Sequence, residues 1–166
     1  MATIKVVVCF CTAIETMAIN QEVDMTGAEI DDFLARHETG VLSLAEADEP
    51  YAIPISYGYD DAERVFYMRL VSTPESEKRR FLASSPTARL VVYDEDGSTY
   101  QSVVASGTLE DIPPAELSPD QIAQYGKAKR PLFEIWAMGR DELDIELYRL
   151  DPASLEGRRT EVDRDE

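Results

Sequence analysis

Three cations stand side by side at Lys78, Arg79 and Arg80, in a chain of 33 acidic and 16 basic residues with a formal net charge of -17. A Lys and an Arg in the first turn of a helix can grip a phosphate through charge-assisted hydrogen bonds. The helix N-terminal amides add to such a site, and in so acidic a chain a local cationic cluster also helps an anion to approach. The alternative is that Arg80, and with it Arg79, pairs with Glu75, Glu77 or other acids at helical spacing. Arg69 interrupts the otherwise apolar run VFYMRLVS, and a charge in such a run needs a partner, either an acid or an anionic or carbonyl-rich ligand. The other reactive side chains offer less. Cys9 and Cys11 form a lone C-x-C, too few ligands for zinc, and a disulfide is not expected in a cytosolic chain. His37 is the single histidine, so there is no Ser-His-Asp arrangement and no metal cluster to complete. No pair of carboxylates stands out as acid and base.

The elements that position these residues follow from local patterning. Thr26 with Glu29 is a capping box. Ile30, Phe33, Leu34 and His37 follow at helical spacing until Gly40 stops the helix. GVLSL reads as a first strand. In YAIPISYGYD, bulky Tyr51, Ile53, Ile55, Tyr57 and Tyr59 alternate with small Ala52, Pro54, Ser56 and Gly58. Pro54 marks an edge or a gap in the ladder, and the small face leaves room for something flat. RVFYMRLVS is the third strand. Thr73-Pro74 is expected to open the helix of SEKRRFLASS, which Pro86 closes. ARLVVYD is the fourth strand, Asp96-Gly97 a hairpin turn and TYQSVVASGTLEDI the fifth strand. Ser118-Pro119-Asp120 starts a further helix, LFEIWAMG is a short helical piece, and DELDIELYRL is the sixth strand. The SLEGRRTEVDRDE end reads as a fading charged tail. Hairpin connections predict a mainly β fold with peripheral helices, whose six antiparallel strands escape bare edges by closing into a small barrel.

The totals set the frame. A chain of 166 residues with 44% hydrophobic content suits one domain with a real core. The acid excess argues against nucleic-acid binding. No apolar run reaches the roughly 18 to 20 residues of a membrane span. Of the 16 bases 12 are Arg and 4 are Lys, and the acids are dispersed. This composition suits a halophilic, cytoplasmic protein kept soluble in high salt. Residues 1–25, with an apolar run from Ile4 to Ile14, form an N-terminal arm of uncertain role: an added strand, a disordered arm or an over-extended start ahead of Met17 or Met25. The domain spans 26–160, and 161–166 is a charged tail.

TGVLSL after the opening helix, YAIPISYGYD, FYMRLVSTPESEKRRFLASSPTARLVVY, YQSVVASGTLEDI and the closing LEGRR occur in the order of a known family. The chain resembles the pyridoxamine 5'-phosphate oxidase-like flavoproteins over roughly residues 26 to 160. The resemblance implies a six-stranded antiparallel split β-barrel of FMN-binding type, working as a homodimer with FMN at the subunit interface. It implies that Lys78 binds the FMN phosphate with Arg79 as helper. Met68, Arg69 and Leu70 would lie beside the isoalloxazine, and Ser56 and Tyr57 on the strand against which the ring packs. Gln101 and Ser102 would reach the cofactor bound mainly by the other subunit, and Trp136 would lie where it can cover the outer pocket. The implied activity is FMN-dependent oxidoreduction of a small-molecule substrate, with redox chemistry at the flavin N5. The alternatives are a deazaflavin (F420) reductase on the same barrel and a non-catalytic flavin-binding protein.

Overall fold

The computed structural model describes residues 22–84, 87–128 and 144–162. Eight strands form one antiparallel sheet: β1 (Glu22–Asp24), β2 (Thr39–Glu46), β3 (Glu49–Ser56), β4 (Gly58–Asp60), β5 (Val65–Ser72), β6 (Thr87–Asp96), β7 (Thr99–Asp111) and β8 (Asp144–Glu161). Three helices accompany them: α1 (Gly27–Arg36), α2 (Glu77–Ser84) and α3 (Pro119–Lys127). The sheet order is β3-β2-β6-β7-β8-β5-β4, with β1 added alongside β8. The first and last strands of that path are consecutive in the chain and are separated by Tyr57 alone. The sheet therefore curls until its two edges are joined by one residue, a split barrel of the expected class.

Eight strands appear where the sequence predicts six. YAIPISYGYD breaks at Tyr57, whose amide donates to the Glu38 carbonyl at 3.0 Å, outside the strand ladders. Glu22–Asp24 adds the short β1 opposite Arg158–Thr160. β8 runs through most of the supposed charged tail, to Glu161. Its charges are carried by Arg158 and Arg159, which bind Glu22 and Glu29 at 2.5 and 3.1 Å. Its inward position there is Gly157, where a Cβ would meet the Ile30 side chain at 2.6 Å. Such a strand has little apolar alternation to betray it.

The barrel interior holds Leu42, Phe66, Met68, Leu90 and Leu150, all fully buried, and α1 plugs one end with Phe33 and Leu34. The Thr26–Glu29 capping box forms as expected. Arg64, at a left-handed φ of 56°, locks the turn before β5 onto α1, with bonds to Asp31 at 3.0 and 3.1 Å and to the Gly27 carbonyl at 3.1 Å. The Ser118 capping box starts α3. α3 lies close on β4, where a Cβ on Gly58 would meet the Gln124 carbonyl at 2.3 Å.

Burial raises the phenols of Tyr57, Tyr59, Tyr125 and Tyr148 above the ordinary tyrosine range. In the unfolded chain these phenols ionise near pH 10, while the folded chain keeps their protons. Above that pH the unfolded state binds fewer protons, so stability falls as pH rises. Thermal melts are therefore expected to hold steady up to about pH 10 and to fall steeply beyond it. A melting temperature that stays level through pH 11.5 would contradict this burial.

Candidate functional site

β5 is buried on both faces over its first four residues, with Val65 and Tyr67 packed against Tyr125 of α3 on the outer side. Phe66, Met68 and Leu70 point into the barrel and are at most 2% exposed, whereas Arg69 is half-buried on the outer side. Of the Met68-Arg69-Leu70 stretch, only Arg69 thus offers its side chain to a ligand; Met68 and Leu70 offer backbone. The Arg69 Nη2 donates to the Ala128 carbonyl at the end of α3, at 2.6 Å. Its Nε is buried without a partner. Among the described residues the sequence requirement for a partner is met by a carbonyl and not by an acid.

Just past the end of β5 the chain turns. Ser76 and not Pro74 precedes the helix, which begins at Glu77. The Ser76 hydroxyl and carbonyl accept from the Arg79 amide at 3.4 and 3.1 Å, so a serine cap displaces the expected proline start by three residues. The three cations then part company. The Lys78 ammonium donates to the Val71 carbonyl at 2.6 Å, which lays it along the C-terminal end of β5. Arg79 binds Asp144, the first residue of β8, at 2.7 Å. Arg80 turns the other way. It meets Glu46 at 2.7 Å, Glu49 at 2.9 Å and Glu77 at 3.7 Å, and lies over the Phe81 ring at 4.4 Å. Phe81 in turn stacks on Tyr51 at 4.7 Å. For Arg80 the ion-pair alternative holds, and Arg80 fastens α2 to the β2–β3 hairpin. Glu75 and Glu77 are both exposed.

Ser56 is buried beside the β3–β4 break. The Tyr57 ring is core, edge-on to Phe66 at 5.4 Å, with its hydroxyl donating to the Leu34 carbonyl at 3.2 Å. Its side chain is therefore fully engaged within the fold. Gln101 and Ser102 lie on β7 opposite Arg159 and Arg158 of β8, while Arg69 lies opposite Leu147. The Lys78–Arg79–Arg69 group and the Gln101–Ser102 pair thus sit near opposite ends of β8. Ser102 instead lines a depression of about 350 Å³ with Arg89, Val104 and Arg158. Trp136, Cys9 and Cys11 lie outside the described residues. His37 ends α1, with Nδ1 2.7 Å from the Phe33 carbonyl and Nε2 3.3 Å from Asp94.

Sequence reasoning missed a polar cavity of about 790 Å³ between α3 and the β4–β5 turn. It is lined by Tyr67, Gln124, Lys127 and Arg149 among others. Its signal is spread over four elements that only the fold brings together. Among the described residues no group of three His, Cys, Asp or Glu side chains could hold a metal, and no helix is long and apolar enough to cross a membrane.

The family model for pyridoxamine 5'-phosphate oxidase matches residues 26–159, from the α1 cap to two residues before the end of β8. The chain belongs to the pyridoxamine 5'-phosphate oxidase family. No curated protein matches it. Solved structures share the fold at low identity. A FAD-binding protein from Mesorhizobium loti superposes with a TM-score of 0.61 at 19% identity, over 85% of this chain and 98% of its own. The FAD binding protein from Mycobacterium smegmatis gives 0.60 at 16% identity, over 85% and 100%. A heme binding protein from Mycobacterium smegmatis gives 0.56 at 18%, over 80% of this chain and 54% of its own. The start of α2 against the end of β5 brings Lys78 and Arg79 within reach of the strand that carries Arg69.

Proposed function

We propose that the protein is an FMN-binding oxidoreductase that works as a homodimer in a salt-rich cytoplasm. The observation that carries this reading is the cationic start of α2, where Lys78 and Arg79 flank the C-terminal end of β5 two to three residues from Arg69 along the strand. A phosphate there would gain two charge-assisted partners. The orphaned Nε of Arg69 supplies a donor for a ring carbonyl or for negative charge on the ring. These groups fit a flavin mononucleotide, and family membership together with the two FAD-binding relatives supports a flavin. Bound flavin would supply hydride or electron transfer. The chain's own contribution is to hold the phosphate through Lys78 and Arg79, to align the ring along β5, and to bond its polar edge through Arg69. The substrate is a small molecule of unassigned class.

The second copy is supported by one face of the sheet. Pro54, Val41, Val91 and Val104 form a continuous row across β3, β2, β6 and β7, ending at Glu156 on β8. The flanking rows bring Ser43, Arg89 and Ser106 on one side and Tyr93, Ser102 and Arg158 on the other. From β3 to β8 these rows carry one acid, Glu156, in a chain where 33 of 166 residues are acidic; the next acids, Asp24 and Glu22, lie on β1 at the edge beside Arg158. Tyr93 is 70% exposed there. A face spared from the general acidity suits burial against a second copy. Gln101 and Ser102 on β7 lie opposite Arg159 and Arg158, near the other end of β8 from the strand position of Arg69, which supports a role for the pair toward the cofactor of a second copy.

The test is a visible spectrum of protein purified in high salt, before and after adding FMN. An absorption band at the flavin maximum that survives desalting is the expected result. A band at shorter wavelength would indicate the deazaflavin F420, a Soret band would indicate haem, and a colourless protein after reconstitution would refute the reading.

A further inference from the structure

Resting on that reading, we propose that Asp144 is a built-in competitor that sets how tightly the cofactor phosphate is held, by occupying Arg79 until an anion displaces it. The two flanking cations of the cluster have different fates. Arg80 is fixed by three carboxylates and an aromatic ring, and Lys78 lies on the neutral Val71 carbonyl. Arg79 is held by the Asp144 carboxylate, at 2.7 Å. Asp144 opens β8 directly opposite Ser72, the last residue of β5. Its carboxylate is therefore anchored to the sheet at the mouth of the site, while Arg79 reaches it from the helix. Both side chains are exposed, at 42% and 51%, and an exposed ion pair of this kind is weak, so rotating one guanidinium to another acceptor is inexpensive. A phosphate dianion beside Lys78 offers Arg79 more charge and a bidentate acceptor. In doing so it must displace a carboxylate and then sit near it, and like charges at that range oppose binding. Asp144 is a positioning residue whose charge tunes affinity and allows the cofactor to exchange.

The experiment compares FMN with riboflavin, which lacks the phosphate, by quenching of flavin fluorescence at moderate and at molar salt. Asp144→Asn is expected to bind FMN about three- to tenfold more tightly at moderate salt, with a smaller gain in molar salt and no change for riboflavin. Asp144→Glu keeps the carboxylate and should behave like the parent. Asp61→Asn, an equal charge change in the β4–β5 turn, should leave FMN affinity as it was. In an Arg79→Ala background, Asp144→Asn should lose most of its effect. An FMN affinity unchanged or weakened by Asp144→Asn, in a parent that prefers FMN to riboflavin and loses that preference on Lys78→Ala, refutes the role of Asp144 alone. A parent that binds both flavins equally refutes the phosphate site, and the inference falls with it.

Discussion

Lys78→Ala is expected to weaken FMN binding about tenfold to a hundredfold, the range for losing a hydrogen bond to a charged group, while leaving riboflavin affinity unchanged. The asymmetry is the point of the prediction. The ammonium sits at the mouth between the end of β5 and the start of α2, 2.6 Å from the Val71 carbonyl, and a phosphate placed there would take it as a donor. Riboflavin has nothing to offer that ammonium. The fold should survive, because α2 is held by Arg80 on Glu46 and Glu49 and by Phe81 on Tyr51. Fluorescence titration of both flavins against parent and variant checks this. Equal FMN affinity in the two proteins would remove Lys78 from the site, and a matching loss for riboflavin would mark a general structural defect instead.

If the protein pairs through this face as proposed, Val41→Asp is expected to leave it monomeric and to abolish flavin binding with it. Val41 lies mid-row between Pro54 and Val91 and lines a shallow depression with Pro54 and Tyr93. Against a second copy, an Asp there would be desolvated without a partner, a cost of several kcal/mol per ion. In a monomer the same side chain faces water, so circular dichroism should still show a folded β protein. Val41→Thr, polar but uncharged, should remain dimeric. Sedimentation velocity separates the outcomes, and a Val41→Asp protein that stays dimeric would place the interface elsewhere.

The sequence carried the local rules of this fold well. The Thr26–Glu29 capping box, the helix start at Ser118, the Gly97 hairpin and the alternation of bulky Tyr51, Ile53 and Ile55 could be read because each depends on residues a few positions apart. What it hid depends on distant partners. The helix start moved to Glu77 because the Ser76 hydroxyl, and not Pro74, caps its first turn. β8 runs on past Leu150 because its charged residues find Glu22 and Glu29, 136 and 130 positions away. The same holds at the candidate site. The cationic triplet was visible, but nothing local says that Arg80 would be taken by the β2–β3 hairpin or Arg79 by Asp144, 65 residues on. Nor does the run MRL say which side chain faces out. Only the barrel fixes Met68 and Leu70 inside and Arg69 outside.

The central claim is that a two-chain barrel holds one phosphorylated flavin per chain at the start of α2. Sedimentation velocity of FMN-reconstituted protein, followed at both the protein and the flavin absorbance, tests it most directly. The account requires one boundary with the mass of two chains, carrying flavin and protein in equal number. A flavin-free boundary at the mass of a single chain, with the FMN left unsedimented, would contradict it.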